Sequence, residues 1–401
     1  MLKLPLILNQ DLPSNLKAAS AAKSCGVLRL LPIADYSVKS ARRKIRWDRV
    51  WYHLKGAVRL IFCMEMIVED KILLAHGSGG KLAHDLITKN FVSALYNPLL
   101  AQMDDSAVFD VKHRLAFTTD SYVVNPIFFP GGNIGKLAIC GTVNDLAMSG
   151  ARPLYLSLAF IIEEGLPLND LKQIVDFIKI TADEAGVKIV TGDTKVVNRG
   201  SADRLFINTS GIGVIPEGVN ISDSNAHPGD KVILSGTIGD HGIAVLSKRE
   251  GISFSTKLES DCAPLAGLVA DMLKASRNIH SLRDPTRGGL ATTLNELAEQ
   301  SKVGISIEET KIPVRDEVMG ACEMLGFDPL YVANEGKLVA IVAARDAEKI
   351  IKAMKKHRYG KNAEIIGEVI AEHPGRVVMK TVLGSSRIVD MLVGDLLPRI
   401  C

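Results

Sequence analysis

From Ile67 onward, hydrophobic and polar positions alternate in the two rhythms expected of an α/β protein. A strand-like apolar run starts near Leu115 and ends at Thr118-Thr119-Asp120. Ile134–Met148 has helical spacing through Leu137, Ala138, Gly141, Leu146 and Ala147, and Leu154 to Ile162 reads as a buried strand. An amphipathic helix is expected to begin with Asn169 as its cap, carry Leu171, Ile174, Val175, Phe177, Ile178 and Thr181, and stop at Gly186. Strands follow at Val187–Val190 and Leu205–Ile215. Ser222 to Asp230 is rich in Ser, Asn, Pro and Gly and marks a boundary. The second half restarts with a strand at Lys231–Ser235, helices at Ala263–Ala275 and Gly289–Glu299, a strand at Lys337–Ala343 and a helix at Asp346–Lys356. Pro398 makes the end an extended tail, with Gly394 as a hinge.

Length and charge divide this pattern further. The 401 residues suit two domains, with an atypical basic extension over 1–65, domains over 66–221 and 228–390, and a tail over 391–401. A hydrophobic fraction of 47% with 23% charged residues is that of a soluble globular chain. Residues 1–63 hold twelve Lys and Arg against three Asp, a net of +9, whereas the remainder carries 36 basic and 42 acidic side chains, a net of −6. The main body therefore has no footprint for nucleic acid. The basic stretch Ala41–Arg46 with Trp47, Trp51 and Tyr52 reads either as an RNA- or membrane-contacting arm or, the preferred reading, as an appended leader before Met64 or Met66. No apolar run approaches the roughly 20 residues of a membrane span. The six cysteines show neither CxxC nor Cys/His pairing, which fits a reducing cytoplasm.

Chemistry is suggested by short clusters mixing Gly with acidic residues. His76-Gly77-Ser78-Gly79-Gly80-Lys81 can turn backbone N–H groups towards an anion, or be a plain turn; it is not a Walker A loop, because Ala75 and Leu82 occupy required positions. Asp104-Asp105, Thr118-Thr119-Asp120, Asn144-Asp145, Gly192-Asp193-Thr194-Lys195 and Asp284-Pro285-Thr286-Arg287 supply carboxylates of the kind that hard cations need beside a polyphosphate. Any one Asp is commonly a cap or turn former; five such clusters together suggest a nucleotide site without a P-loop. Cys401 ends the chain, and a terminal thiolate is a natural carrier for an acyl or carbamoyl group. Cys140, Cys262 and Cys322 read as core residues in helical settings. His113, His227, His280 and His357 show no partner spacing, and Gly211-Ile212-Gly213 fails the dinucleotide fingerprint at Pro216.

Taken in order, these motifs resemble the HypE family of hydrogenase maturation proteins. The matching residues are His76–Gly80, Thr119–Val123, Phe128–Leu137, Cys140–Asp145, Gly192–Val197, Gly239–Gly242, Asn334–Leu338 and the closing Pro398-Arg399-Ile400-Cys401. The match covers about residues 71–401, and residues 1–63 lie outside the family pattern. The resemblance implies a two-domain α/β, aminoimidazole-ribonucleotide-synthetase-like fold, with the N-terminal domains pairing in a homodimer barrel and a C-terminal α/β sandwich. It implies ATP and Mg²⁺, with Asp105, Asp145 and Asp284 at the metal. Gly79, Gly80, Lys81, Asp120, Asn144, Gly192, Asp193 and Thr194 would lie at the nucleotide. It also implies the reaction: a HypF-type carbamoyltransferase loads Cys401, ATP drives dehydration to a thiocyanate, and the cyano group passes to iron on a HypC–HypD-type complex. Lys195 would balance phosphate charge, and Glu335 or Asp145 would be the base. The alternatives are a small-molecule kinase or synthetase of the selenophosphate or thiamine-phosphate type, and a non-catalytic nucleotide-binding scaffold.

Overall fold

The computed structural model describes residues 80–86, 88, 103, 107–110, 114–252 and 257–394. Expectations for segment 1–65, for Gly79 and Asp105, and for the tail from 395 to Cys401 lie outside the described residues. The first half contains α1 (Gly80–Leu86), β1 (Ala107–Asp110), β2 (Arg114–Tyr122), a short hairpin of β3 (Phe128–Phe129) and β4 (Gly132–Asn133), and α2 (Ile134–Met148). It continues through β5 (Arg152–Glu163), α3 (Leu168–Ala185), β6 (Lys188–Val197) and β7 (Leu205–Val214). The second half begins with β8 (Lys231–Leu234), α4 (Asp240–Glu250), α5 (Ala266–Ala275), β9 (Ile279–Arg283), α6 (Gly289–Ser301) and β10 (Gly304–Glu308). It closes with α7 (Asp316–Leu325), β11 (Val339–Val342), α8 (Ala344–Lys356), β12 (Glu364–Ile370), β13 (Arg376–Lys380) and β14 (Ser386–Val389).

Two mixed sheets organise these elements. The first runs β1-β2-β7-β5-β6, with β5 and β6 parallel and the other pairs antiparallel. The second runs β14-β13-β10-β12-β8-β11-β9. On β2, Ala116, Thr118 and Tyr122 point inward and are buried, whereas Phe117, Thr119 and Ser121 point outward, as the period of two requires. The helix α2 lies against β2 and β7 on the inner face and also touches α3 and α5. It is apolar on almost every side and accordingly buried on every side, with Lys136 and Asp145 the exceptions. Asn133 caps it, its side-chain oxygen accepting the N–H groups of Gly135 and Lys136 at 2.9 and 3.1 Å. Gly141 lets α2 close on β2, since a Cβ there would overlap the Tyr122 ring. One apolar cluster joins Ala116, Leu137 and Ile207 of the first half to Leu268, Ile279, Ala340 and Met354 of the second.

Most predicted elements lie where the pattern puts them, and the departures have local causes. Pro167, not Asn169, is the residue before the third helix, with no side-chain cap; its fixed φ of −59° leads the chain in, and Gly186 ends the helix in the left-handed region. β6 runs on to Val197 rather than stopping at Val190, so the Gly192–Lys195 cluster lies inside a strand. Gly192 is tolerated there because its backbone passes so close to the Leu158 carbonyl that a Cβ would not fit. The helix expected from Ala263 starts at Ala266, which leaves Cys262 buried in a loop rather than a helix; Cys140 and Cys322 are buried on helices as expected.

Candidate active site

Four carboxyl groups converge where the two halves meet. Asp120 lies on β2, Asp145 on α2, Asp284 in the turn after β9, and Glu335 in the loop before β11. The Ser121 N–H donates to Asp120 Oδ1 at 2.7 Å, and an Arg287 Nη2 stands 4.0 Å from the same oxygen. The Thr118 hydroxyl donates to Asp145 Oδ2 at 2.8 Å. Burial raises the Asp120 carboxyl above its ordinary range, against the opposing pull of Arg287 and the Ser121 N–H. Burial also pushes Asp284 up to about 6, with Arg283 opposing and Asp120 reinforcing. Glu335 is held well above the usual carboxylate range, first by burial, then by Cys262 and by the charges of Asp284, Asp120 and Asp261. Tyr122 is buried beneath them, its hydroxyl 3.3 Å from Thr142 Oγ1, and burial with Asp120 and Asp145 raises its pKa well above 10.0.

These mutual effects place Asp120, Asp284 and Glu335 in one electrostatic neighbourhood, with Arg287 bearing on both Asp120 and Asp284; Asp145 joins them through Tyr122, on which it and Asp120 both act. Oxygen donors whose charge is penalised by burial and by each other fit a hard divalent cation, which removes that penalty. Asp120 and Asp284 carry that penalty and suit such a cation; Asp105 is not among the described residues.

Other predicted site residues lie elsewhere or have different partners. Asp120, Thr209, Leu158 and Gly192 form one row across four strands, so Gly192 is three strand spacings, roughly 14 Å along the sheet, from Asp120. Asp193 shares its row with the outward Ser121, and Lys195 pairs with the exposed Ile161; Asp193 and Lys195 therefore lie on the outer face, where they form an exposed ion pair at 3.2 Å. Thr194 lies on the same edge strand. The Lys81 N–H, a candidate anion donor, is taken by the Leu392 carbonyl at 2.8 Å, and Gly80 packs against Leu392 so closely that a Cβ has no room. The Asn144 carboxamide is committed to the second half: its Nδ2 donates to the carbonyls of Ala263 and Glu335, and its Oδ1 accepts the Leu265 N–H.

The histidines also differ from expectation. His227 and His280 do have a partner, because Asp230 Oδ2 lies 2.7 Å from His280 Nδ1 and 4.0 Å from His227 Nδ1. The same oxygen accepts the His227 backbone N–H at 2.8 Å, so the group fastens the 222–230 loop to β9.

Sequence reading missed Asp261, Lys337 and Tyr122 as site residues. Asp261 Oδ1 accepts the Glu335 N–H at 3.1 Å, and its Oδ2 pairs with Lys337 Nζ at 3.2 Å. The Gly239–Gly242 motif has a supporting part: Gly239 N–H donates to Asn334 Oδ1 at 2.7 Å, and His241 Nδ1 is 2.8 Å from Ser260 Oγ. In the sequence Tyr122 and Lys337 lie within matched motifs, whereas Asp261 has no such signal.

Comparison with known proteins gives the same family for both halves of the chain. Residues 103–215 match the N-terminal domain, and residues 227–380 the C-terminal domain, of the AIR synthase related proteins. The carbamoyl dehydratase HypE of Cupriavidus necator is 52% identical over 351 residues, covering 87% of this chain and all of that protein. The Escherichia coli carbamoyl dehydratase HypE is 48% identical over 338 residues, covering 83% of this chain and all of that protein. Among solved structures, the HypE–HypF complex gives 54% identity and a TM-score of 0.74 over 77% of this chain and 99% of that chain. HypE in complex with ATP gives 49% and 0.70 over 82% and 100%. Thiamine monophosphate kinase from Aquifex aeolicus, at 18% identity and a TM-score of 0.56 over 77% and 99%, shares the fold alone. With this extent of identity across both halves, the chain belongs to the HypE family of hydrogenase maturation proteins.

Proposed function

We propose that this chain is an ATP-dependent S-carbamoyl-cysteine dehydratase of [NiFe] hydrogenase maturation, with its own Cys401 as carrier. The observation that carries the reading is the cluster of buried, strained carboxyl groups Asp120, Asp284 and Glu335 in a HypE-family chain. A HypF-type carbamoyltransferase loads the Cys401 thiol; a relative solved as a HypE–HypF complex supports that partner. The thiocarbamate oxygen then takes the γ-phosphoryl group of ATP while one N–H proton leaves, giving an O-phosphorylated imidate and ADP. Loss of the second N–H proton expels phosphate and leaves a thiocyanate on Cys401. Glu335 is the first candidate for the base, because its raised pKa makes its carboxylate more basic than an exposed one; Asp145 is the second. Mg²⁺, which the resemblance implies at Asp105, Asp145 and Asp284, would neutralise polyphosphate charge. The cyano group passes on to iron held by a HypC–HypD-type complex.

The outer sheet face supports a homodimer. Phe117, Ile212 and Tyr155 form one row across β2, β7 and β5 and remain 38–47% exposed, with Ile161 of β5 also exposed on that face. A second copy covering this face would bury it, and any part that Lys195 takes in the pocket depends on that copy. Among the described residues no helix is long and apolar enough to cross a membrane, and Cys140, Cys262 and Cys322 are free thiols, as suits the cytoplasm.

Mass spectrometry of the tail peptide tests the reaction. After incubation with a HypF-type partner, carbamoyl phosphate and ATP, Cys401 should gain about 43 mass units and then lose about 18, the masses of carbamoylation and dehydration. A tail that stays unmodified overturns the reading.

A further inference from the structure

Glu335 is fixed through its backbone rather than through its carboxyl group. Its N–H donates to Asp261 Oδ1 at 3.1 Å, and its carbonyl accepts from Asn144 Nδ2 at 3.3 Å. The preceding residue, Asn334, is tied to the Asp284 turn: its N–H and its Nδ2 both donate to the Pro285 carbonyl, at 3.2 and 2.9 Å. The following residue, Gly336, is pressed against the Asp261 carbonyl so tightly that a Cβ would overlap it. Asn144 is fully buried, and it is the member of this group that comes from the first half of the chain. Beyond Glu335, its carboxamide holds both ends of the 263–265 segment, donating to the Ala263 carbonyl at 3.1 Å and accepting the Leu265 N–H at 2.8 Å.

The helix α2 gives this contact its consequence. Asn144 and Asp145 are neighbours on one rigid, buried helix, yet they face different partners. Asp145 turns to Thr118 and the acid pocket, while Asn144 turns to the peptide that carries Glu335. One helix therefore sets the position of Asp145 and, through the Asn144 carboxamide, that of Glu335. A buried amide with three matched partners is costly to misplace, because each lost bond strands a buried polar group.

The geometry points to Asn144 as the positioning residue that registers Glu335 against Asp145 across the two halves, rather than as a nucleotide ligand. This rests on the dehydratase reading above. Asn144 does not touch the reacting atoms; it acts through the Glu335 peptide, and Asp261 holds the other end of that peptide.

The test uses the full chain carrying carbamoylated Cys401, prepared with a HypF-type partner. Single-turnover conversion to the thiocyanate is followed by mass spectrometry, and ATP affinity is measured separately by calorimetry. Asn144→Ser removes the clasp from one side and Asp261→Ser releases the other end of the same peptide. Melting curves establish that each variant is folded, and the folded one carries the test. The expected result is conversion slowed at least tenfold, with the ATP dissociation constant within threefold of wild type. Conversion within twofold of wild type overturns the assignment. So does a loss of ATP affinity in proportion to the loss of rate, which would mark Asn144 as a nucleotide ligand or a general fold element. Wild-type protein run alongside separates the two claims: if it fails to convert carbamoylated Cys401, the dehydratase reading itself falls.

Discussion

Asp284 shows how a single buried acid records the job of the pocket. Its carboxyl is 8% exposed and pushed up to about 6, mainly by burial. Between roughly pH 4 and 6 the unfolded chain has released a proton that the folded protein keeps, so this group removes stability as pH rises through that window. Above pH 6 the cost is on the order of 3 kcal/mol. Asp284→Asn should therefore melt at least a few degrees higher than wild type at pH 8 in the absence of divalent cations, with a smaller gain at pH 5, while conversion of carbamoylated Cys401 is lost. Calorimetric melting at the two pH values checks the sign; a variant that melts lower at pH 8 would mean that Asp284 is a structural anion. This acid, Asp145 and Glu335 are legible in the sequence because each sits in a short motif with Gly, Pro or Asn, and Asp120 because it closes a strand-like run after two threonines. The role of Asn144 is not legible, because its partners Ala263 and Glu335 lie 119 and 191 positions away.

Elements with a clean period are the ones the chain announces. The helix α8 buries Ala347, Ile350, Ile351 and Met354 at helical spacing, and β2 alternates. β6 is the instructive failure. The strand expected at Val187–Val190 runs on through Gly192, whose close packing on Leu158 only the register with β5 reveals. The same register turns Lys195 to the outer face, away from the carboxyl pocket of its own chain. β12, β13 and β14 escape notice because charged residues interrupt their short apolar runs. The exposed Phe117–Ile212–Tyr155 row belongs to this scale too. Tyr155→Asp places a charge at the centre of the proposed dimer face, where desolvation would be costly, while leaving the buried pocket intact. Analytical ultracentrifugation should show wild type as a dimer and the variant shifted towards monomer; an unchanged dimer would mean that the second copy sits elsewhere.

At the scale of the whole molecule, the question is what the pocket acts upon. The carboxyl cluster alone would serve any ATP-driven phosphorylation of an oxygen, and the fold is shared with a thiamine monophosphate kinase. Identity near 50% across both halves separates this chain from that relative, and the reading places its substrate on Cys401. The two possibilities diverge on one substitution. A kinase of free small molecules would keep its turnover in Cys401→Ala, since the thiol is remote from its chemistry. A dehydratase of its own tail would lose its substrate entirely while keeping its ATP site, because the four carboxyl groups are untouched. Cys401→Ala should thus bind ATP with wild-type affinity by calorimetry and give no ADP above background with a HypF-type partner and carbamoyl phosphate. Turnover by the variant at the wild-type rate would move the chain to the kinase branch of the fold. Loss of ATP affinity in the same variant would instead mean that the tail forms part of the nucleotide site.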